Sequence, residues 1–134
     1  MINDLKEARN FFKNDRFATE ATGIIVLNAE KGFSRCMINV TPVHMNNDGF
    51  VQGGAIFTLA DTAFAVAANM KNAHTVTLDS HINYLLPSRA KQLYAECECV
   101  RDGRTICLYV VNVTDSNANK IAYATFTGYR VRND

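Results

Sequence analysis

From Asn46 to Lys71 the chain reads N-N-D-G-F-V-Q-G-G-A-I-F-T-L-A-D-T-A-F-A-V-A-A-N-M-K. Its two halves have different grammars. Thr41 to Gly54 is loop, punctuated by Pro42, Asn46-Asn47-Asp48-Gly49 and Gly53-Gly54. Ala55 to Lys71 is Ala-rich and apolar nearly all round, which predicts one long buried helix. Thr58, Asp61, Thr62 and Asn69 interrupt it, and their offsets place them on a single narrow stripe. The run Ala55–Met70 spans only about 24 Å as a helix and carries Asp61, so it is too short and too polar to cross a bilayer.

Outward from this helix the pattern changes to strands. Before it, Asp4 to Lys13 predicts a short amphipathic helix, with Asp4 and Glu7 placed as a capping box. Gly23–Leu27 and Phe33–Thr41 read as two strands joined by a Lys31-Gly32 turn. After it come four strand patterns, at about Thr75–Leu85, Leu93–Val100, Thr105–Thr114 and Lys120–Arg130. Asp102-Gly103 and Asp115–Asn119 mark tight connections, so these strands run antiparallel. In the last strand Ala122, Ala124, Phe126 and Gly128 form a mostly small face, as if a helix lay close against it. One buried helix and one large sheet make an α+β domain, with a curved sheet wrapped around the helix.

At 134 residues the chain is one domain, 1–134, with 1–20 as a lead-in. It carries 14 Lys and Arg against 13 Asp and Glu, a net charge of +1, which argues against nucleic acid or an anionic membrane as partner. Between Gly49 and Pro87 the only charged residues are Asp61, Lys71 and Asp79, so the middle of the chain is destined to be covered. The N-terminal residues Met1–Glu7 lack a secretory apolar stretch. Cys36, Cys97, Cys99 and Cys107 contain no C-x-x-C pair and no zinc spacing with His44, His74 or His81, which predicts reduced core thiols, no metal site and a cytoplasmic location.

Gly53-Gly54 stands where the helix begins. The first turn of a helix leaves backbone N–H groups without partners and carries the positive end of the helix dipole. Glycine lets a ligand approach such a backbone closely. The site suits a phosphate or a polarised carbonyl oxygen, although a plain loop-to-helix turn has the same sequence. Asp61 tips the balance, because a carboxylate inside a buried apolar helix is costly unless it is used. Gly53 and Asp61 are about 12 Å apart along a helix axis and roughly 80° apart around it. One small reacting group does not reach both in one chain. If they cooperate, they come from two copies, and a two-fold dimer would build two composite sites.

These residues resemble the hotdog-fold acyl-coenzyme A thioesterases, in particular the PaaI-like branch of phenylacetic acid degradation. The resemblance rests on Asn46, Gly53-Gly54 and Leu59-Ala60-Asp61-Thr62-Ala63-Phe64-Ala65. It continues in Thr22-Gly23-Ile24, Gly32-Phe33, Ile82–Pro87, Asp102-Gly103-Arg104 and Ala122–Tyr129. It implies a six-stranded sheet around one helix and a homodimer or dimer of dimers (a homotetramer). It also implies hydrolysis of an acyl- or arylacyl-coenzyme A thioester, with coenzyme A entering only as part of the substrate. Asp61 would then be nucleophile or general base, the Gly53 amide would polarise the carbonyl, and Asn46 would lie by the reacting group. Thr77 falls near a hydroxyl position that places water. Gly54 would flank the substrate, and Arg89, Lys91, Arg101 and Arg104 are candidates for its phosphates.

One position departs from the pattern. The family usually has His before the two glycines, and this chain has Gln52, which hydrogen-bonds but does not titrate. Activity is expected to survive, because Asp61, Gly53 and Asn46 remain. A non-catalytic acyl-coenzyme A binding protein is the alternative. A dehydratase on the same fold has no His candidate near the helix start.

Overall fold

The predicted helix forms as α2, and the residues around it explain both of its ends. In a computed structural model that describes residues 1–132, helix α1 spans Leu5–Phe12 and α2 spans Gly53–Asn69. The strands are β1 (Ile25–Glu30), β2 (Phe33–Asn39), β3 (Thr75–Tyr84), β4 (Gln92–Asp102), β5 (Ile106–Asp115) and β6 (Lys120–Arg130). A π-helical turn at Phe17–Ala21 and a 3-10 turn at Pro42–His44 complete the elements, and neither was expected from the sequence. Half of the expected α1 capping box forms: Asp4 caps the helix by accepting from the Glu7 amide, while the Glu7 carboxylate accepts from the Asn3 amide, one residue before the cap, rather than from Asp4.

α2 begins two residues earlier than its apolar pattern, because Gln52 caps it and takes both glycines into the first turn. It ends two residues earlier at Asn69. The Asn69 side chain donates to the Ala65 carbonyl and accepts from the Thr75 amide at 2.8 Å. Lys71 then turns the chain with φ at 52°. Of the predicted polar stripe, Thr58 and Asp61 lie half-exposed on the open side of the helix. Thr62 and Asn69 are buried, and their side chains bond main-chain carbonyls.

The six strands form one antiparallel sheet in the order β1-β2-β4-β5-β6-β3. α2 packs on its concave face, which is the hotdog arrangement. Leu59, Phe64 and Val66 from the helix, with Met70 just beyond it, meet Ile38, Leu93, Tyr109, Val111 and Phe126 from the sheet in one core. Phe64 stacks on Phe126 with centroids 4.9 Å apart. The small face of β6 lies under the helix as the pattern implied: Ala122, Ala124, Phe126 and Gly128 are all buried. Cys36 and Cys97 pack in the core as small apolar residues, and burial pushes the Cys36 thiol up to about 12.

Arg130 closes the far end. It is 3% exposed and donates to the Ala68 carbonyl at the helix C-terminus, to Thr75 Oγ1 at the start of β3 and to Asp102 at the end of β4. β3 lies at a sheet edge with β6 as its one neighbour, and Val76 and Leu78 are exposed along it.

A Cβ on Gly128 would lie 2.7 Å from Cys107 Sγ and 2.8 Å from Thr75 Cγ2, with Phe64 at 3.0 Å. Gly128→Ala is therefore expected to destabilise the domain by about 1–3 kcal/mol in urea unfolding. An unchanged midpoint would show that the helix does not press on β6 there.

Candidate functional site

The helix start is held from the loop side and left open at its amides. Gln52 donates its own amide to the His44 carbonyl at 2.8 Å, and Val51 donates to the Ser88 carbonyl at 2.9 Å. The Gln52 carbonyl accepts from Ala55 and Ile56, and its side-chain oxygen accepts from the Ala55 amide at 3.2 Å. Among the described residues the Gly53 and Gly54 amides meet no acceptor. Two N–H groups thus remain at the positive end of a buried helix. A Cβ on Gly54 would come within 2.6 Å of Gln52 Oε1, so a side chain there would displace the capping amide.

A cavity opens on each side of this turn. The larger, about 550 Å³, is bounded by Gln52, Gly54, Phe57 and Thr58 of the helix start and by Phe17 and Val43 across from them. The smaller, about 260 Å³, lies between Asn46, Gly53, Tyr84 and Leu86. Phe57 therefore faces a cavity, whereas Phe64 and Met70 are core. Asn46 shapes its own loop: Oδ1 accepts from the Asp48 amide at 2.9 Å and the Phe50 amide at 3.0 Å. Asn46 also lines the smaller cavity. Gln52 and Gly54 belong to one cavity, and Asn46 and Gly53 to the other.

Asp61 stands further along the same helix, in neither cavity. It is half-buried, and among the described residues its carboxylate has no hydrogen bond or ion pair. Burial raises its pKa above the usual carboxylate value, and the charge of Asp15 raises it further. Gly53 and Asp61 are one helix apart, as the spacing required, and one chain does not bring them together. Thr77 lies on β3 opposite Gly128, on the helix-facing side of the open edge.

The four candidate cations divide. Arg89 lies by the helix start, with its guanidinium 3.8 Å from the Phe50 ring centroid and donating to the Asp48 carbonyl. Lys91 is exposed just before β4. Arg101 and Arg104 lie on the β4–β5 hairpin, beside the C-terminal end of α2. His44 is structural: Nδ1 accepts from the Thr41 amide and Nε2 bonds the Thr22 carbonyl at 2.6 Å, which leaves no ring nitrogen for chemistry.

Two features escaped the sequence pattern. Tyr84 lays its ring against Gly53 and donates its hydroxyl to the Gly53 carbonyl at 3.1 Å. Ser88 is buried and donates to Asp115 at 2.8 Å while its carbonyl holds Val51. The first could have been read only from knowing where β3 ends. The second joins residues 27 positions apart in sequence.

The sequence matches the thioesterase superfamily over residues 48–122. It is 28% identical over 127 residues to the acyl-coenzyme A thioesterase PaaI of Escherichia coli, covering 94% of this chain and 90% of that one. The structure of the E. coli PaaI protein superposes with a TM-score of 0.88 over 94% of this chain and 91% of that one, at 27% identity. A Streptococcus mutans protein solved with acetyl-coenzyme A is 34% identical, with a TM-score of 0.76 over 81% of this chain and 88% of that one. A hypothetical thioesterase protein of Streptococcus pneumoniae, solved with coenzyme A, is 27% identical with a TM-score of 0.78, over 90% of this chain and 96% of that one. It has also been solved with an aspartate and a threonine each changed to alanine. Their separation along the chain equals that of Asp61 and Thr77.

The raised pKa of Asp61 carries a sign for stability. Folding favours the protonated carboxyl, so its contribution is fully present below the unfolded value and is lost as pH rises through the folded value. Asp61→Asn should therefore raise the melting temperature at pH 7, with the gain shrinking as pH falls toward 4. A lower melting temperature at pH 7 would show that the ionised carboxylate has a stabilising partner.

Proposed function

This chain belongs to the thioesterase superfamily, and we propose that it hydrolyses an acyl- or arylacyl-coenzyme A thioester to the free acid and coenzyme A. The observation that carries the proposal is the pair of unsatisfied Gly53 and Gly54 amides beside a cavity, on the same helix as the unpartnered, half-buried Asp61. The Gly53 amide and the helix dipole hold the thioester oxygen as negative charge develops on it. Asp61 either takes a proton from the attacking water or attacks the carbonyl itself, giving a mixed anhydride that water then opens. Asn46 lies with Gly53 at the reacting group, and Thr77 helps to place the water. The S. pneumoniae protein with its paired aspartate and threonine variants lends weight to the last assignment. The coenzyme A and acetyl-coenzyme A found with two relatives support the substrate class.

Gln52 replaces the usual His without supplying a proton. In this chain its side chain caps the helix that presents the amides, so its role is to fix their direction. The same substitution favours the second reading, a protein that binds acyl-coenzyme A without hydrolysing it.

The working unit on this reading is at least a homodimer. The exposed Val76, Leu78, Tyr84 and Leu85 along or just beyond the β3 edge support pairing there with a second copy. Such pairing would bring the helix start of one protomer toward Asp61 of the other.

A thiol-release assay over an acyl-coenzyme A panel tests the activity. Asp61→Asn should lower kcat by roughly 10²-fold or more; binding without Asp61-dependent release would favour the second reading. Co-expressed Gly53→Val and Asp61→Asn chains should recover about one working site per mixed dimer. Complementation failing in purified mixed dimers would place the whole site in one chain. The acid limb of kcat/KM should have its midpoint above the ordinary carboxylate range, and Asp15→Asn should move it to lower pH. A midpoint unmoved by that change would remove Asp15 from the site's electrostatics.

A further inference from the structure

A thioester carbon holds its oxygen, its sulfur and the first carbon of its acyl group in one plane. An oxygen seated on the first turn of α2 therefore sends the other two groups to opposite sides of that turn. A cavity lies on each side. The smaller, about 260 Å³, is bounded by Tyr84 and Leu85 at the end of β3, the edge on which the proposed dimer pairs. The larger, about 550 Å³, has no wall on β3, so pairing there takes none of its lining. Among the described residues no Lys, Arg, Asp or Glu lines this larger cavity. Its polar side chains are largely engaged. Thr58 donates to the Gly54 carbonyl at 2.8 Å, Gln52 Oε1 accepts from the Ala55 amide, and both His44 ring nitrogens are bonded. Its outer wall is apolar and wet: Phe17 is 67% exposed and Val43 83%, across from the half-buried Phe57. Apolar side chains left in water around a concavity are stabilised by an apolar occupant that covers them.

The wall that carries Phe17 is held at both ends. At the start of the Phe17–Ala21 turn, Asp15 Oδ1 accepts from the Ala18 amide at 3.2 Å. Just past its end, the Thr22 carbonyl takes His44 Nε2 at 2.6 Å. His44 Nδ1 accepts from the Thr41 amide, so Nε2 carries the proton and donates it. The His44 carbonyl in turn receives the Gln52 amide at 2.8 Å, so one residue ties this wall to the helix start. A π-helical turn is a rare winding, found most often at functional sites. The cavity's volume falls within the roughly 300–1,000 Å³ of small-molecule sites, and an acetyl group would leave most of it empty. We propose that the acyl group of the thioester lies in this larger cavity, and that Phe17 and Val43 set the largest apolar acyl group, alkyl or aryl, that the site admits. This rests on the thioesterase reading and narrows it from acyl thioesters in general to those with a bulky apolar acyl group.

Narrowing the cavity tests the assignment. The Phe17→Trp/Val43→Phe double variant adds bulk at two exposed positions, so the fold is retained, which a melting curve verifies. It should lower kcat/KM for octanoyl- and phenylacetyl-coenzyme A roughly tenfold or more, and leave that for acetyl-coenzyme A within about twofold. Phe17→Ala should move the preferred alkyl chain to a greater length. Equal losses for the acetyl and octanoyl substrates, or an unchanged acyl preference in both variants, would overturn the assignment. Binding is read apart from hydrolysis, by calorimetry in the Asp61→Asn background. Octanoyl-coenzyme A should bind roughly tenfold or more tighter than coenzyme A, with a more negative heat-capacity change, and the double variant should erase that difference. Equal affinity for the two compounds in the Asp61→Asn protein, or a difference that survives the double variant, would also overturn it. If no thioester is hydrolysed, the calorimetric arm still decides the cavity while the catalytic reading fails alone.

Discussion

A helix buried inside a sheet must settle the peptide groups at both of its ends, and α2 settles them unequally. At its C-terminus the Ala68 carbonyl receives Arg130, and Asn69 bonds back to Ala65 and across to Thr75. Positive charge and side-chain donors meet the negative end of the dipole, and the same guanidinium fastens β3 to the β4–β5 hairpin. At its N-terminus only part of the need is met. Gln52 satisfies Ala55, and the Gly53 and Gly54 amides are left without an acceptor among the described residues. The closed end gives the fold its rigidity. The open end leaves two oriented donors, which on the proposed reading need no rearrangement when charge develops near them.

Much of this was legible because it follows from local pattern. The Ala-rich run could only be a buried helix, and the small face of β6 announced the helix lying on it through Ala122, Ala124 and Gly128. Asp61 stood out for the same reason, being a carboxylate where the pattern allows none. The separation of Gly53 from Asp61 was also fixed by helix geometry, and the structure keeps them apart within the chain. Terminal residues were less legible. The helix boundaries moved by two residues at each end because a glutamine cap and an asparagine side chain decided them, not the apolar period.

What sequence could not reveal depends on register and on distant pairing. Thr62 and Asn69 share a stripe with Asp61 on a helical wheel, yet both turn their polar atoms onto the main chain and vanish into the core. Arg101 and Arg104 flank one hairpin and looked equivalent, but Arg101 lies within β4 whereas Arg104 stands in the turn after it and lines a cavity beside the end of α2. Tyr84 reaches Gly53 only because β3 ends beside the start of α2. None of these placements has a signature at short range.

The Ser88 hydroxyl joins the loop before α2 to the turn between β5 and β6. The Asn117 and Asn119 amides hold one oxygen of Asp115, Ser88 holds the other, and the Ser88 carbonyl holds Val51. Val51 stands two residues before Gly53, so the aim of that amide is anchored to a turn that lines neither cavity at the helix start. That loop already stores some strain, with Ala118 at φ 64°. In mechanical terms the β5–β6 turn is the fulcrum of the helix start: a lineage that alters its length or stiffness shifts the first turn of α2 without changing any residue in it.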